Sequence, residues 1–279
     1  MIGIEKITKI DKKRIALMDT SSISFIQSLQ NKGIKIDSIL KDYELILIPG
    51  WVLAEIEDAP GRAEFIRNLV DGGYPIYYIA EESYSELTGY EEGNLYEIVL
   101  ASVSLIGQIK SYLRKLSEGR DLLDMEEYKE WINKLYDEWP LPKEVLANVR
   151  IKKKNAGEVS ITILVEIVSW YYPKTETLTV YSQDSDTYKF YLEAEARIRK
   201  QFASKIPEPV SYKSNDCILC QLFREGEIKK EDIRECRKDE RKITYSKEQS
   251  DHSTVLVTEM LDNDKFIDLI KNESVHIIF

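Results

Sequence analysis

The sequence predicts an α/β layered fold around a central, mainly parallel sheet. Short apolar runs of strand length recur along the chain, and each breaks into a polar or Pro-Gly turn. Segments with apolar residues at three- and four-residue spacing lie between them. Strands alternating with helices pack as a sheet covered by helices. The 279 residues suffice for one large domain or two small ones, with ample material for a core.

In order along the chain, "RIALMDTSSISFI" reads as a strand over residues 14 to 18 ending at Asp19, then polar residues suited to capping a helix. "YELILIPGWVLAEIED" repeats the idea, with a strand from Leu45 to Ile48, a Pro49-Gly50 break and a helix from Trp51. The amphipathic segment "AEFIRNLVDGG" stops at glycine and leads to a third strand candidate in "GYPIYYIAEES". From about Glu91 to Trp139 the spacing is helical, until Pro140 and Pro142 end it. A further helix is expected from about Lys143, running through "VRIKKKNAG" into the apolar helix "GEVSITILVEIVSW". "TLTVYSQDSD" is a strand breaking into an acid-bearing turn, and "FYLEAEARIRKQF" is helical. "PVSYKSND" gives another strand, with a helix from about Cys217 to Arg224. Near the end, "RKDERKITYSKEQSDHS" reads as loop, and the remainder as a short strand, a helix and a last strand. There is no internal repeat and no low-complexity tract.

Apolar content of 43% and charged content of 32% are those of an ordinary soluble protein. No apolar run is long enough to span a bilayer, and "MIGIEKITKIDKKR" lacks the apolar stretch of a secretory signal. A cytoplasmic protein without membrane contact is expected. Three cysteines argue against a disulfide framework, and the C-x-x-C of "SNDCILCQLF", with no second ligand pair nearby, reads as buried small residues. Two histidines, His252 and His276, poorly support a histidine triad or zinc site, and a glycine-rich phosphate loop is absent. The net charge of −10 runs against a protein that coats duplex DNA and fits an acidic site that collects a divalent metal.

Several carboxylates sit where such a site would form. Asp19 follows the first strand and Asp184 follows "TVYSQ", and in parallel α/β sheets the carboxyl ends of strands line the ligand crevice. Glu55, about one turn into the helix after the second strand, and Glu158, opening its helix, can reach the same edge. Four convergent carboxylates repel one another unless a cation sits among them, and oxygen-only ligands favour Mg²⁺ or Mn²⁺. On this reading Glu158 is exposed because it faces a metal. Taken singly, each acid has a plainer role. Asp19 can cap a helix, Glu55 can be solvated, Glu158 can favour a helix dipole, and Asp184 and Asp186 can be turn residues.

The ordered set "MDTSSI" (Asp19, Thr20), "LIPGWVLAEI" (Glu55), "NAGEVSI" (Glu158) and "VYSQDSD" (Asp184, then Asp186) resembles the PIN domain family of metal-dependent ribonucleases. The resemblance covers roughly residues 14 to 225. It implies a PIN-like three-layer α/β/α fold over residues 1–225 with a helical insertion at about 91–142, and a C-terminal extension, 226–279, packed on the same domain. By the same resemblance Asp19, Glu55, Glu158 and Asp184 are catalytic and hold Mg²⁺ or Mn²⁺, with Asp186 as a further or alternative ligand and Thr20 and Ser182 shaping the site. The implied activity is endoribonucleolytic hydrolysis of RNA. Toxin–antitoxin or defence roles, an inhibitory protein partner and a homodimer also fit such a relative. The basic run "RIKKKN" places Arg150, Lys152, Lys153 and Lys154 before Glu158, where they can hold a nucleic-acid backbone or simply form a solvated helix end. Two alternatives stay open: an interaction module with weak or no catalysis, and a structure-selective DNA nuclease.

Overall fold

The computed structural model describes residues 3–118, 126–145, 151–203, 205–248 and 253–278. Five short segments become the strands of one parallel sheet: β1 (Arg14–Met18), β2 (Leu45–Pro49), β3 (Ile76–Ile79), then β6 (Thr177–Tyr181) and β7 (Val210–Lys213), in the order β3-β2-β1-β6-β7. Ala16, Leu17, Met18 and Ile46 to Ile48 are fully buried. These uninterrupted apolar runs suit strands covered on both faces. The helices between β1 and β3 are α1 (Thr20–Asn31), α2 (Asp37–Leu40), α3 (Gly50–Glu57) and α4 (Pro60–Asp71).

The chain builds outward from β1 to β3, then returns to place β6 against the other side of β1. The order therefore reverses between β1 and β6, where open α/β sheets form their crevice. Met18 lies opposite Tyr181 in register, and the Asp19 amide donates to the Tyr181 carbonyl at 3.1 Å. The residues that leave these two strands thus emerge side by side.

Next come α5 (Tyr84–Leu87), then α6 (Glu92–Ser102), α7 (Gly107–Leu116) and α8 (Tyr128–Asp137), the last three within the stretch where the spacing predicts helix. The expected helix from Lys143 does not form. Its place is taken by a hairpin of β4 (Lys143–Val145) and β5 (Ile151–Lys153), with Glu144 opposite Lys152 and Val145 opposite Ile151. "RIKKK" has one apolar residue and no helical face to bury, so an antiparallel partner decides its conformation. Asn155 then takes a left-handed φ of 62°, a conformation asparagine tolerates, and turns the chain into α9 (Ala156–Tyr171).

Every residue of α9 from Ala156 to Trp170 except Glu158 is buried. It packs between α3, α6 and α10 (Ser185–Gln201). Glu166 is therefore a carboxyl in the core. One oxygen accepts from Trp170 Nε1 at 2.9 Å, the other has no partner, and burial pushes its pKa up to about 8. A native group that holds its proton more tightly than the unfolded chain stabilises the fold at low pH and loses that contribution as pH rises from about 4.5 toward 8. Unfolding by denaturant should therefore show stability falling from pH 5 to pH 8, by on the order of 3 kcal/mol. Glu166→Gln should flatten the upper part of that slope; an unchanged slope would exclude Glu166 as its source.

The C-terminal part contains α11 (Asn215–Arg224), α12 (Lys230–Cys236), β8 (Arg241–Glu248), β9 (Thr254–Leu261), α13 (Asn263–Ile270) and β10 (Val275–Ile277). The strands form a second sheet, antiparallel, in the order β10-β8-β9. Residues 241 to 248 of the expected loop thus form the strand β8. Its alternating Ile243 and Tyr245 are buried, while the intervening polar residues mask the period in the sequence. Arg224 of α11 donates to the carbonyls of Ile270, Asn272 and Val275, which ties α11 to the end of α13 and to β10. Among the described residues no helix is long and apolar enough to cross a membrane.

Candidate metal and nucleic-acid site

Asp19 ends β1 and caps α1, its Oδ1 accepting from the Ser22 amide at 2.7 Å. The Ser21 hydroxyl donates to both its oxygens at 2.9 and 3.0 Å, and the buried Ser182 hydroxyl, just beyond β6, donates to Oδ2. Ser182 Oγ also accepts from the Asp184 amide, so it joins the two acid-bearing turns. Thr20 donates to Glu55 Oε2 at 3.1 Å, which orients the α3 carboxylate. Across from it, a Cβ on Gly157 would stand 3.4 Å from Glu55 Oε1, which measures how closely the start of α9 approaches α3.

These elements enclose a cleft of about 310 Å³ lined by Asp19, Thr20, Glu55, Glu158 and Asp184, with Arg62 and Lys152 on its walls. All four carboxylates singled out by sequence share it, although they come from β1, α3, α9 and the turn after β6. Burial raises the Asp19 pKa against the pull of its hydroxyl and amide donors. It also raises that of Glu55, opposed by Lys152 and Thr20. Glu158 is half-buried rather than exposed. Burial pushes it up to about 7, and the charges of Glu55, Asp184 and Asp19 push the same way. Asp184 is exposed and caps α10, accepting from the Asp186 amide at 2.8 Å.

Other expected site residues lie elsewhere. Asp186 pairs with Lys189 at 2.7 Å and lines a different cleft with Lys154. An acid two residues from Asp184 on a helix start faces another direction, which removes it from the acid cleft. Lys153 is buried with its ammonium 3.6 Å over the Tyr136 ring, and burial lowers its pKa to about 8. Along β5, Lys152 is exposed and lines the acid cleft whereas Lys153 is buried, and both line a neighbouring cleft beside Tyr136. Arg150 lies outside the described residues.

Arg62 and Glu81 are absent from the residues that the sequence singles out. Arg62 reaches the cleft from α4, where its Nη2 donates to the Glu55 carbonyl at 3.2 Å and its buried Nε has no partner. Glu81 follows β3. Its Oε1 accepts from the Trp51 amide at 2.8 Å and from the Ser160 hydroxyl, which also lies 3.0 Å from the Tyr84 hydroxyl. The carboxyl therefore caps α3, whose own Pro49 offers no side-chain cap, and fastens it to α9. A Cβ on Gly50 would fall 2.5 Å from Glu81 Oε2 and 3.3 Å from Ala80 Cα, so a side chain there would displace the Glu81 carboxyl. The signal for Glu81 exists in the sequence as an acid after the third apolar run, the pattern that picks out Asp19. Arg62 carries no local signal.

The oxygen-only donor set suits a hard divalent cation. Among the described residues, however, no three acidic side chains are drawn close enough to hold one ion as they stand. Asp19 and Glu55 are fixed by hydroxyl donors, whereas Asp184 is exposed and the Glu158 carboxylate accepts from its own backbone amide. No family model, no curated protein and no solved structure matches the chain.

Proposed function

We propose that the chain is a divalent-metal-dependent endoribonuclease whose acids follow the PIN-like layout. One observation carries this reading: four carboxylates from four separate elements line one cleft at the point where the sheet order reverses. Burial holds Asp19, Glu55 and Glu158 above the usual carboxylate range in this cleft, and carboxylates perturbed in that way cluster at functional sites. Asp19, Glu55, Glu158 and Asp184 would hold Mg²⁺ or Mn²⁺. Bound there, the ion supplies an activated water and neutralises charge on a phosphodiester during hydrolysis.

The chain's own residues do the rest. Ser21, Ser22 and Ser182 lock Asp19 in one orientation, and Thr20 does so for Glu55. Arg62 and Lys152 present positive charge on the walls of the cleft, where a substrate phosphate would lie. Glu81 acts at one remove, holding α3 and α9 at the spacing that brings Glu55 and Glu158 together.

A second reading, an interaction module that keeps the fold without efficient catalysis, is favoured by the absence among the described residues of three acids at metal-holding distance. Labelled single-stranded RNA, tRNA and DNA, incubated with Mn²⁺, Mg²⁺ or EDTA, separate the two. RNA cut only with the metals is the expected result. Folded protein that cuts none of these polymers would overturn the nuclease reading, and cutting confined to DNA would change its substrate.

A further inference from the structure

The second sheet ends in β9, and among the described residues no strand pairs with the outer edge of β9. On its inner side β9 pairs with β8 along its whole length, Thr254 to Leu261, without a bulge. Free N–H and C=O groups on such an edge template another strand, so natural edges are blunted with lysine, proline or a bulge. The strand "TVLVTEML" holds no lysine, proline or glycine. Its one charged residue, Glu259, accepts from the Tyr245 hydroxyl of β8 at 2.6 Å, which holds the carboxylate against its own sheet. The edge is long, regular and unprotected.

The side chains supply a second observation. Alternation turns Val257 and Leu261 to the core and Leu256, Thr258 and Met260 to the opposite face. Leu256 is 64% exposed and Met260 52%. Their neighbours on β8 are Ser246 and Lys242, so no apolar residue of β8 covers them. Thr258 stands midway between the two, its hydroxyl 3.0 Å from that of Thr244. This face is complementary to itself. Residues directly opposed in an antiparallel pair share a face, so a strand meets its own copy in one sheet only with the twofold axis on a residue. With the axis on Thr258, Leu256 lies against the partner's Met260, Met260 lies against the partner's Leu256, and the two threonines meet.

We propose that β9 pairs antiparallel with β9 of a second copy of this chain, joining the two small sheets into one in the order β10-β8-β9-β9-β8-β10. The pairing satisfies both edges and covers the exposed apolar residues of each. The surface lies within residues 226–279, outside the stretch that carries the family resemblance, and the proposal is independent of the nuclease reading.

Sedimentation equilibrium of the full chain measures the dissociation constant of the dimer. Leu256→Lys and Met260→Glu each set a charge against an apolar residue, twice per dimer by symmetry, and each should weaken the dimer about ten-fold or more. Both side chains are exposed, so far-ultraviolet circular dichroism should not change. Leu256→Lys and Met260→Glu combined in one chain oppose a cation to an anion at both contacts and should restore the dimer. A wild type that stays monomeric at every concentration, or a dimer that both single changes leave intact, would overturn the proposal. Weakening by each single change without recovery in the combined variant would overturn the register through Thr258.

Discussion

Asp19→Asn is expected to lower metal-dependent RNA cleavage by at least about a thousand-fold, the scale of losing several kcal/mol of charge stabilisation in a transition state. Asp19 is the carboxylate most firmly fixed in the cleft, and each of its described hydrogen bonds comes from a donor. An asparagine has the same shape but turns an amide toward hydroxyls that now donate, and it brings no charge to a cation. Stability separates this chemistry from simple misfolding. Burial already disfavours the Asp19 charge, so removing it offsets part of what the weaker hydrogen bonds lose, and the variant should unfold within about 2 kcal/mol of wild type. Saturating Mn²⁺ should raise the wild-type melting temperature, because a ligand of the native state stabilises it by mass action, and should leave that of Asp19→Asn unmoved. Asp184→Asn should lose activity likewise with less change in stability, since Asp184 is exposed. Full cleavage by either variant would place the chemistry elsewhere in the chain.

Strands β1 and β2 were legible because Ile15 to Met18 and Leu45 to Ile48 are buried and read as apolar runs, and β6 because Leu178 to Tyr181 is buried with only Thr179 polar within it. The same runs exposed Asp19 and Asp184 as the first acids after their strands. What the sequence could not carry was direction. Asp184 and Asp186 look interchangeable in "SQDSD", but the start of α10 turns one to the acid cleft and the other to Lys189. Lys152 and Lys153 look alike in "RIKKKN", and burial separates them; reading that run as a helix end hid the difference. β8 was misread for a related reason. Its buried residues are few, Ile243 and Tyr245 among lysine, serine, threonine and glutamate, and pairing with β9 on one edge and β10 on the other makes it a strand. Arg62 enters the cleft through tertiary packing of α4, which no local pattern announces.

The largest effect on stability should come from a residue outside the acid cleft. Arg237 follows α12 with its side chain fully buried, and its partner Asp216 on α11 is 3% exposed. Its Nε donates to Asp216 Oδ1 at 2.9 Å, Nη1 to Asn263 Oδ1 at 2.8 Å and to the carbonyls of Lys238 and Asp239, and Nη2 to the Leu261 carbonyl at 3.0 Å. The guanidinium also lies over the Phe266 ring at 4.6 Å. One side chain thus fastens α11, the second sheet and α13 together. Arg237→Ala strands a buried carboxylate and several carbonyls, and breaking a buried pair from one side costs about 3–5 kcal/mol. Arg241 remains 3.5 Å from Asp216 Oδ2 and keeps part of the compensation, so about 3 kcal/mol is expected, a fall in melting temperature of roughly 6–10 °C. The mechanism has its own check. If the cost is a carboxylate left without its cation, Asp216→Asn added to Arg237→Ala should cost less than the sum of the two single changes. Strict additivity of the two, or an Arg237→Ala protein as stable as wild type, would mean that water reaches Asp216 and that this network does not hold the second sheet in place.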